Sequence, residues 1–232
     1  MPYMYYFDPT YFLVILGAIL CLAASAKVKT TYAKYKRVRS LSGMTGAMAA
    51  ERILHFSGIY DVSIQRVSGD LTDHYDPRNK TLNLSETVYG SDSVAAIGVA
   101  AHECGHAIQD NTGYAPLKFR GALVPVANFG ATISWPMIIL GVVLGYSETL
   151  INFGIILFSL VVLFQLITLP VEFNASSRAV KVLNDSGILY DDEIKYTKKV
   201  LGAAALTYVA GAASVILQLL RLVLLFGGRD RD

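Results

Sequence analysis

The sequence predicts a mainly α-helical membrane protein with four transmembrane helices and a smaller water-facing α+β part. Apolar residues make up 53% of the chain and charged residues only 16%, whereas soluble domains average about 45–50% and about 25%. Four long runs contain almost no charge, at positions 9–26, 121–147, 149–171 and 200–220. Runs of about 20 apolar residues are long enough to cross the hydrocarbon core of a bilayer.

The first run predicts a retained transmembrane helix within the segment 1–26. A secretory signal peptide is the competing interpretation, but such a peptide carries positive charge before its apolar run. Here the basic residues follow the run instead, and they are Lys27, Lys29, Lys34, Lys36, Arg37 and Arg39. Since basic loops stay in the cytoplasm, we expect the N-terminus outside and the segment 27–120 inside.

The second half of the chain predicts three further spans. The segment 121–171 is expected to form a transmembrane helical hairpin, because only Glu148 and a short turn interrupt it. The turn at 145–148 lacks Lys and Arg and should lie outside, while the basic segment 172–199 should be cytoplasmic. The segment 200–232 is then a fourth span with a short outer tail. Arg221, near its end, should reach the outer interface or face another helix.

The segment 27–120 has the pattern of a water-facing α+β domain. Helical spacing is predicted over 47–56, and alternation with β-branched residues predicts a strand over 62–67. The Asp-Pro-Arg-Asn-Lys turn at 76–80 predicts a hairpin over 71–84. A helix should begin after the capping candidates at 91–93 and end near 111–113.

The pentapeptide His-Glu-Cys-Gly-His at positions 102–106 lies on that last helix. Residues four apart share one face of a helix, so His102 and His106 can hold one metal ion between them. Glu103 can reach water at that ion. This is the His-Glu-x-x-His pattern of zinc peptidases, with two imidazole ligands and one general base.

A catalytic zinc ion usually has three protein ligands, so a third ligand is expected elsewhere. We predict Glu172, because the predicted topology places the segment that it opens on the same side as the motif. The alternatives that the residues leave open are Asp110, Asp92, Glu86, Asp185, His74 and His55.

These motifs resemble a known family. The pentapeptide, the preceding hairpin and a later Glu-Phe-Asn-Ala resemble a gluzincin, and the four-span layout is similar to the bacterial YugP family of membrane zinc metallopeptidases. A more distant likeness is to the HtpX and CAAX-prenyl endopeptidase group, whose Glu-x-x-x-Asp motif aligns with 172–176. The resemblance implies His102, His106 and Glu172 as zinc ligands and Glu103 as the base. Ser176 stands where that group has Asp, so Asn174, Ser177 or another residue replaces it, or the site is weaker.

The predicted function is a membrane-embedded zinc endopeptidase with a single zinc ion per chain and a cytoplasmic active site. Its partners would be the lipid bilayer and a peptide or membrane-protein substrate, which the edge of the 71–84 hairpin could bind. Arg178 is a weak candidate for the oxyanion donor, and Cys104 is interpreted as a small buried thiol. The net charge of +2 does not indicate nucleic-acid binding. The alternatives are a non-catalytic metal-binding adaptor or chaperone, and a transporter.

Overall fold

The computed structural model describes residues 8–227. Positions 1–7 and 228–232, which belong to the predicted segments 1–26 and 200–232, lie outside the described residues. The elements in chain order are α1 (Tyr11–Tyr35), α2 (Gly46–Phe56), β1 (Ser63–Val67), β2 (His74–Asp76), β3 (Thr81–Ser85), α3 (Glu86–Tyr89), α4 (Val94–Asn111), α5 (Ala115–Val143), α6 (Glu148–Asp185) and α7 (Asp191–Phe226).

The chain divides into two compact units. Among the described residues the first unit, called here the helical unit, consists of 8–23, Arg120–Ile167 and 208–227. The second, called the mixed unit, consists of Ala24–Phe119 and Thr168–Thr207 and contains the sheet. The mainly helical fold with a small sheet is therefore as the sequence predicts.

Four helices, α1, α5, α6 and α7, are long and apolar enough to cross a membrane. This agrees with the four predicted spans in number and in place. The helices are longer than the apolar runs, however. α1 continues past position 26 to Tyr35, α6 continues through Glu172 to Asp185, and α7 begins at Asp191.

The difference has a physical cause, since apolarity determines what a bilayer accepts while capping groups determine where a helix ends. After α6 the chain turns at Gly187, whose φ of 64° suits glycine. α7 begins with three acidic residues in its first turn, and Glu193 accepts a hydrogen bond from the Tyr190 N–H at 2.9 Å. Such groups stabilise a helix N-terminus well before its apolar part begins.

The sheet of the mixed unit has the strand order β1-β3-β2. β2 and β3 form the predicted antiparallel hairpin, with Tyr75 opposite Leu82, and β1 runs parallel to β3. The turn is stabilised by Asp76, which accepts hydrogen bonds from the Arg78 N–H at 2.9 Å and from the Asn79 side chain at 2.8 Å. β2 is left as an edge strand.

α4 is the central helix of the mixed unit. Ser93 caps its N-terminus by accepting the Ala96 N–H at 3.2 Å, as the sequence predicts. Its small side chains, among them Ala100 and Ala101, are fully buried in the main hydrophobic cluster. α4 ends at Asn111, and Gly113 follows with a φ of 65°. The motif at 102–106 therefore lies on a buried helix.

Candidate metal centre

Three side chains from two helices converge in the mixed unit. His102 and His106 come from α4 and Glu172 from α6, and one ligand atom of each lies within 4.8 Å of the others. Glu172 Oε2 lies 3.2 Å from His102 Nε2 and 3.6 Å from His106 Nε2. Glu172 is only 2% exposed and His106 only 9%. The two predicted histidines and the predicted distant carboxylate thus share one site.

The donor set fits zinc. Ligand atoms about 2.0–2.2 Å from a tetrahedral zinc ion lie about 3.3–3.6 Å from one another. The carboxylate of Glu172 stands at 3.2 Å and 3.6 Å from the two Nε2 atoms, so the two distances that involve the carboxylate are close to that spacing. Two imidazoles and one carboxylate are also a ligand set found in catalytic zinc sites.

The other ring nitrogen of each histidine has an oxygen partner. His102 Nδ1 lies 3.1 Å from Ser176 Oγ, and His106 Nδ1 lies 3.0 Å from Gln109 Oε1. An oxygen acceptor at Nδ1 favours the tautomer that leaves the Nε2 lone pair for a metal. Gln109 Oε1 can only accept, whereas the Ser176 hydroxyl can accept or donate. Ser176, which aligns with the Asp of the distantly similar group, thus contacts His102, while Asn174 Oδ1 accepts hydrogen bonds from Gln109 and Arg178.

Glu103 is held by the hairpin rather than by the three converging side chains. Its Oε2 accepts a hydrogen bond from the Tyr75 backbone N–H at 3.1 Å. The Tyr75 hydroxyl in turn donates to Asp110 at 2.8 Å, and Lys80 binds the same carboxylate at 2.7 Å. β2 is thus attached to α4 at two points, one of which orients Glu103.

The motif glycine allows α4 and α6 to approach closely. A Cβ added to Gly105 would lie only 2.5 Å from the backbone oxygen of Ala175. Real Cβ atoms do not come so close, so the position requires glycine for its lack of a side chain. This close approach brings Glu172 within reach of the two histidines on α4.

The site has a negative electrostatic character. Burial lowers the pKa of His106, but the nearby carboxylates of Glu172 and Glu103 outweigh that effect, so the pKa is raised overall. A site that favours a positive charge on a buried imidazole also favours a bound cation. Burial raises the pKa of Cys104 well above its usual value, and its 0% exposure agrees with the prediction of a small buried thiol.

The other third-ligand candidates have different partners. Asp110 binds Tyr75 and Lys80 as described, Asp92 pairs with Arg39 at 3.4 Å, and Glu86 pairs with Arg66 at 3.1 Å.

The remaining candidates for the third metal ligand, His74, His55 and Asp185, also lie outside the group around Glu172. His74 uses both ring nitrogens, with Nδ1 at 2.9 Å from the Thr72 carbonyl and Nε2 at 3.2 Å from the Asn83 amide. His55 stacks on Tyr60, and Asp185 is the last residue of α6. The structure brings Glu172 alone of these candidates into the group with His102 and His106.

Arg178, the predicted oxyanion candidate, has neighbours of its own. Its Nε donates to Asn174 Oδ1 at 2.7 Å, and its guanidinium lies over the Tyr114 ring at 5.8 Å. The oxyanion role of Arg178 stays a prediction, as do the ligand roles of the three converging residues and the base role of Glu103.

Sequence analysis missed two residues that contact the site. Gln109 follows His106 by three positions on the same helix, and this spacing could have drawn attention to it. Tyr75 acts through its backbone N–H, and no residue type in the sequence signals a main-chain contact of that kind.

Comparison with known proteins identifies the family of the chain. A family model described as "putative neutral zinc metallopeptidase" matches residues 10–227. The chain is also 49% identical over 222 residues to the "putative membrane protease YugP" of Bacillus subtilis (strain 168), covering 95% of this chain and 98% of that protein. No solved structure matches. The chain therefore belongs to the family of putative neutral zinc metallopeptidases.

Proposed function

We propose that the protein is a gluzincin-type, zinc-dependent endopeptidase of the cell membrane. The observation that carries this proposal is the convergence of His102, His106 and Glu172 within 4.8 Å, with the carboxylate of Glu103 next to them in the motif. The family supports zinc as the metal, and the relative's description as a membrane protease supports peptide hydrolysis.

His102, His106 and Glu172 would hold a single zinc ion per chain. A zinc ion so bound supplies Lewis acidity, which can lower the pKa of water from about 15.7 to about 7.

Glu103 serves as the general base in this proposal. Its carboxylate accepts a proton from the attacking water and later delivers that proton to the leaving nitrogen of the peptide. The Tyr75 N–H donates to one carboxylate oxygen at 3.1 Å, which helps to hold the carboxylate in place. Burial of Glu103, which is 8% exposed, keeps bulk water from competing for the proton.

The hairpin edge is the proposed path of the substrate. β2 is an edge strand of the sheet, and its Tyr75 contacts Glu103 directly. An extended peptide added along an edge strand would pass beside the base. The substrate would be a peptide or an unfolded segment of a membrane protein.

We further propose that the active site faces the cytoplasm and that both termini lie outside. The basic residues that follow the first apolar run, and those between positions 172 and 199, support this orientation. Both segments belong to the mixed unit, which carries the candidate metal centre.

The alternative is a metal-binding membrane adaptor or chaperone without turnover. A purely structural zinc site is usually closed by four protein ligands. Among residues 8–227, the ligand group around Glu172 contains three residues, so the open arrangement of a catalytic site is favoured.

The test is hydrolysis by the detergent-purified protein and its Glu103→Gln variant. A proteome-derived peptide library serves as the probe, and cleavage sites are read by mass spectrometry. We expect Glu103→Gln to keep its zinc and to lose about 10²–10⁴-fold in rate, which is the usual contribution of general acid–base catalysis.

Glu51→Gln is the matched control, because Glu51 is an exposed glutamate on α2 and its substitution should leave the rate unchanged. Wild-type cleavage by Glu103→Gln would disprove the base role. A zinc-loaded wild type that cleaves nothing in the library would favour the adaptor.

A further inference from the structure

A single buried amide connects the two helices of the metal centre. Gln109 is fully buried, with 0% exposure, and makes three hydrogen bonds. Its Oε1 lies 3.0 Å from His106 Nδ1, and its Nε2 donates to the Val171 carbonyl at 2.8 Å and to Asn174 Oδ1 at 3.0 Å. A fully buried amide with such a set of partners is held in one orientation.

The partners determine which way the amide faces. The Val171 backbone carbonyl can only accept a hydrogen bond, so the NH₂ group of Gln109 must face it. Oε1 then faces His106, and since an amide oxygen can only accept, the ring proton must be on Nδ1 of that histidine. In the neutral ring this leaves the Nε2 lone pair directed towards Glu172, 3.6 Å away.

The same side chain also holds α6 on both sides of the third ligand. Val171 immediately precedes Glu172, and Asn174 follows it by two positions. The two bonds from Gln109 Nε2 therefore fix the turn of α6 from which the Glu172 carboxylate projects. The amide oxygen of Gln109 therefore contacts His106, and the amide nitrogen contacts the turn of α6 that carries Glu172.

We propose that Gln109 is the positioning residue of the metal centre and orients two of its three ligands at once. The proposal rests on the zinc site of the proposed function but not on peptide hydrolysis. His102 is held differently, because its partner Ser176 offers a hydroxyl that can either donate or accept. Ser176 also contacts one ligand only, so its loss should matter less.

The experiment measures zinc dissociation constants by competition with a chromophoric chelator in detergent. Gln109→Met keeps the approximate volume of the side chain and removes all three hydrogen bonds. We expect it to weaken zinc binding by about 10–100-fold, the usual effect of removing the groups that orient a metal ligand. Ser176→Ala should weaken binding by a smaller factor, and Ser177→Ala, at an exposed neighbouring position on α6, should not change it.

A core substitution serves as a control that distinguishes the loss of ligand positioning from a general loss of protein stability. Val182 lies on α6 in the hydrophobic cluster and is 7% exposed. Val182→Ala should lower the Tm of the metal-free protein yet leave the zinc dissociation constant within about twofold. If Gln109→Met does not fold, Asn174→Ala carries the test, since it removes one of the two bonds to α6 and should weaken zinc binding more than Ser177→Ala.

The outcomes distinguish a failure of the proposed role of Gln109 from a failure of the proposed zinc site. Wild-type zinc affinity in Gln109→Met, or in Asn174→Ala where that variant carries the test, would overturn the role of Gln109 and leave the metal centre intact. A wild-type protein that binds no zinc would overturn the metal centre, and this proposal with it. An equal loss of affinity in Val182→Ala would also overturn the proposal, because destabilisation alone would then account for the result.

Discussion

The helical unit has long helices with exposed apolar side chains, whereas the buried carboxylates among the described residues lie in the mixed unit. In the helical unit large apolar side chains face outward, and Phe12 at 63%, Leu22 at 71% and Val143 at 74% are among the most exposed. In the mixed unit polar groups are buried, including Glu103 and Glu172. Exposed apolar surface is stable in lipid, whereas buried polar groups need partners that satisfy them.

The polar side chains of the two units have different kinds of partner. In the helical unit Arg221 pairs with Asp8 at 3.3 Å and lies over the Tyr11 ring at 4.3 Å, so this polar contact joins the two ends of that unit. In the mixed unit Gln109 and Ser176 contact the histidines of the candidate metal centre. Polar contacts thus connect chain segments in the helical unit and hold the histidines of the candidate metal centre in the mixed unit.

The largest expected effect is at the close contact of α4 with α6. Gly105→Ala places a methyl group 2.5 Å from the Ala175 carbonyl oxygen, so the helices must separate. We expect a loss of about 1–3 kcal/mol in the free energy of unfolding, typical of overpacking, together with weaker zinc binding. Thermal unfolding with and without zinc measures both.

Gly202→Ala is the control for that substitution, because nothing lies within 4 Å of a Cβ added there. A helical glycine of this kind should gain up to about 1 kcal/mol on becoming alanine. Equal behaviour of the two variants would contradict the view that close approach builds the metal centre.

An intermediate effect is expected at the ion pair of the helical unit. Arg221→Met leaves Asp8 without its cation, and the side chains are only 12% and 28% exposed in the pair. We expect the Tm to fall by a few degrees while the zinc dissociation constant stays unchanged. The double variant with Asp8→Asn should recover part of the loss, since no unpaired charge remains. A change in zinc affinity would contradict the view that this ion pair stabilises the helical unit without affecting the metal centre.

The smallest effect is expected at the exposed rim of the mixed unit. Burial raises the pKa of Asp110, but hydrogen bonds from Lys80 and Tyr75 outweigh it and lower the pKa overall. Lys80→Met should therefore cost about 0.2–1 kcal/mol at pH 7, the range for exposed pairs. A lowered folded-state pKa stabilises the fold fully above the unfolded value of about 3.9, so the cost should shrink as the pH falls below about 4 and vanish below the folded-state pKa of Asp110.

Denaturant unfolding at several pH values measures that dependence. Lys195→Met is the control, because Lys195 and its partner Asp192 are 69% and 72% exposed, and no change is expected. A cost for Lys80→Met that is independent of pH would show that packing of the lysine stem, rather than its charge, is responsible.

Much of this molecule can be predicted from its sequence. The four apolar runs predict the four long helices, because composition alone decides what a bilayer accepts. The spacing of His102 and His106 predicts a shared helix face, since four residues make little more than one turn. The turn at 76–80 predicts the hairpin, because Pro, Asn and Asp there have specific backbone preferences.

Other features depend on tertiary contacts and could not be read from the chain. The apolar runs do not mark where α6 ends or where α7 begins, because capping groups rather than apolarity set those positions. Ser176 looked like a defect in the motif, yet in the fold its hydroxyl lies 3.1 Å from His102 Nδ1. The main-chain contact of Tyr75 with Glu103 depends on how β2 lies against α4, which no local pattern encodes.

The most direct test is the zinc content of the detergent-purified protein beside His102→Ala and Glu172→Ala, measured by elemental analysis. The three converging side chains predict about one zinc ion per chain in the wild type, lost in both variants. Zinc lost in His102→Ala but retained in Glu172→Ala would move the third ligand elsewhere. A wild type that holds no zinc after the metal is supplied would contradict the proposed metal centre.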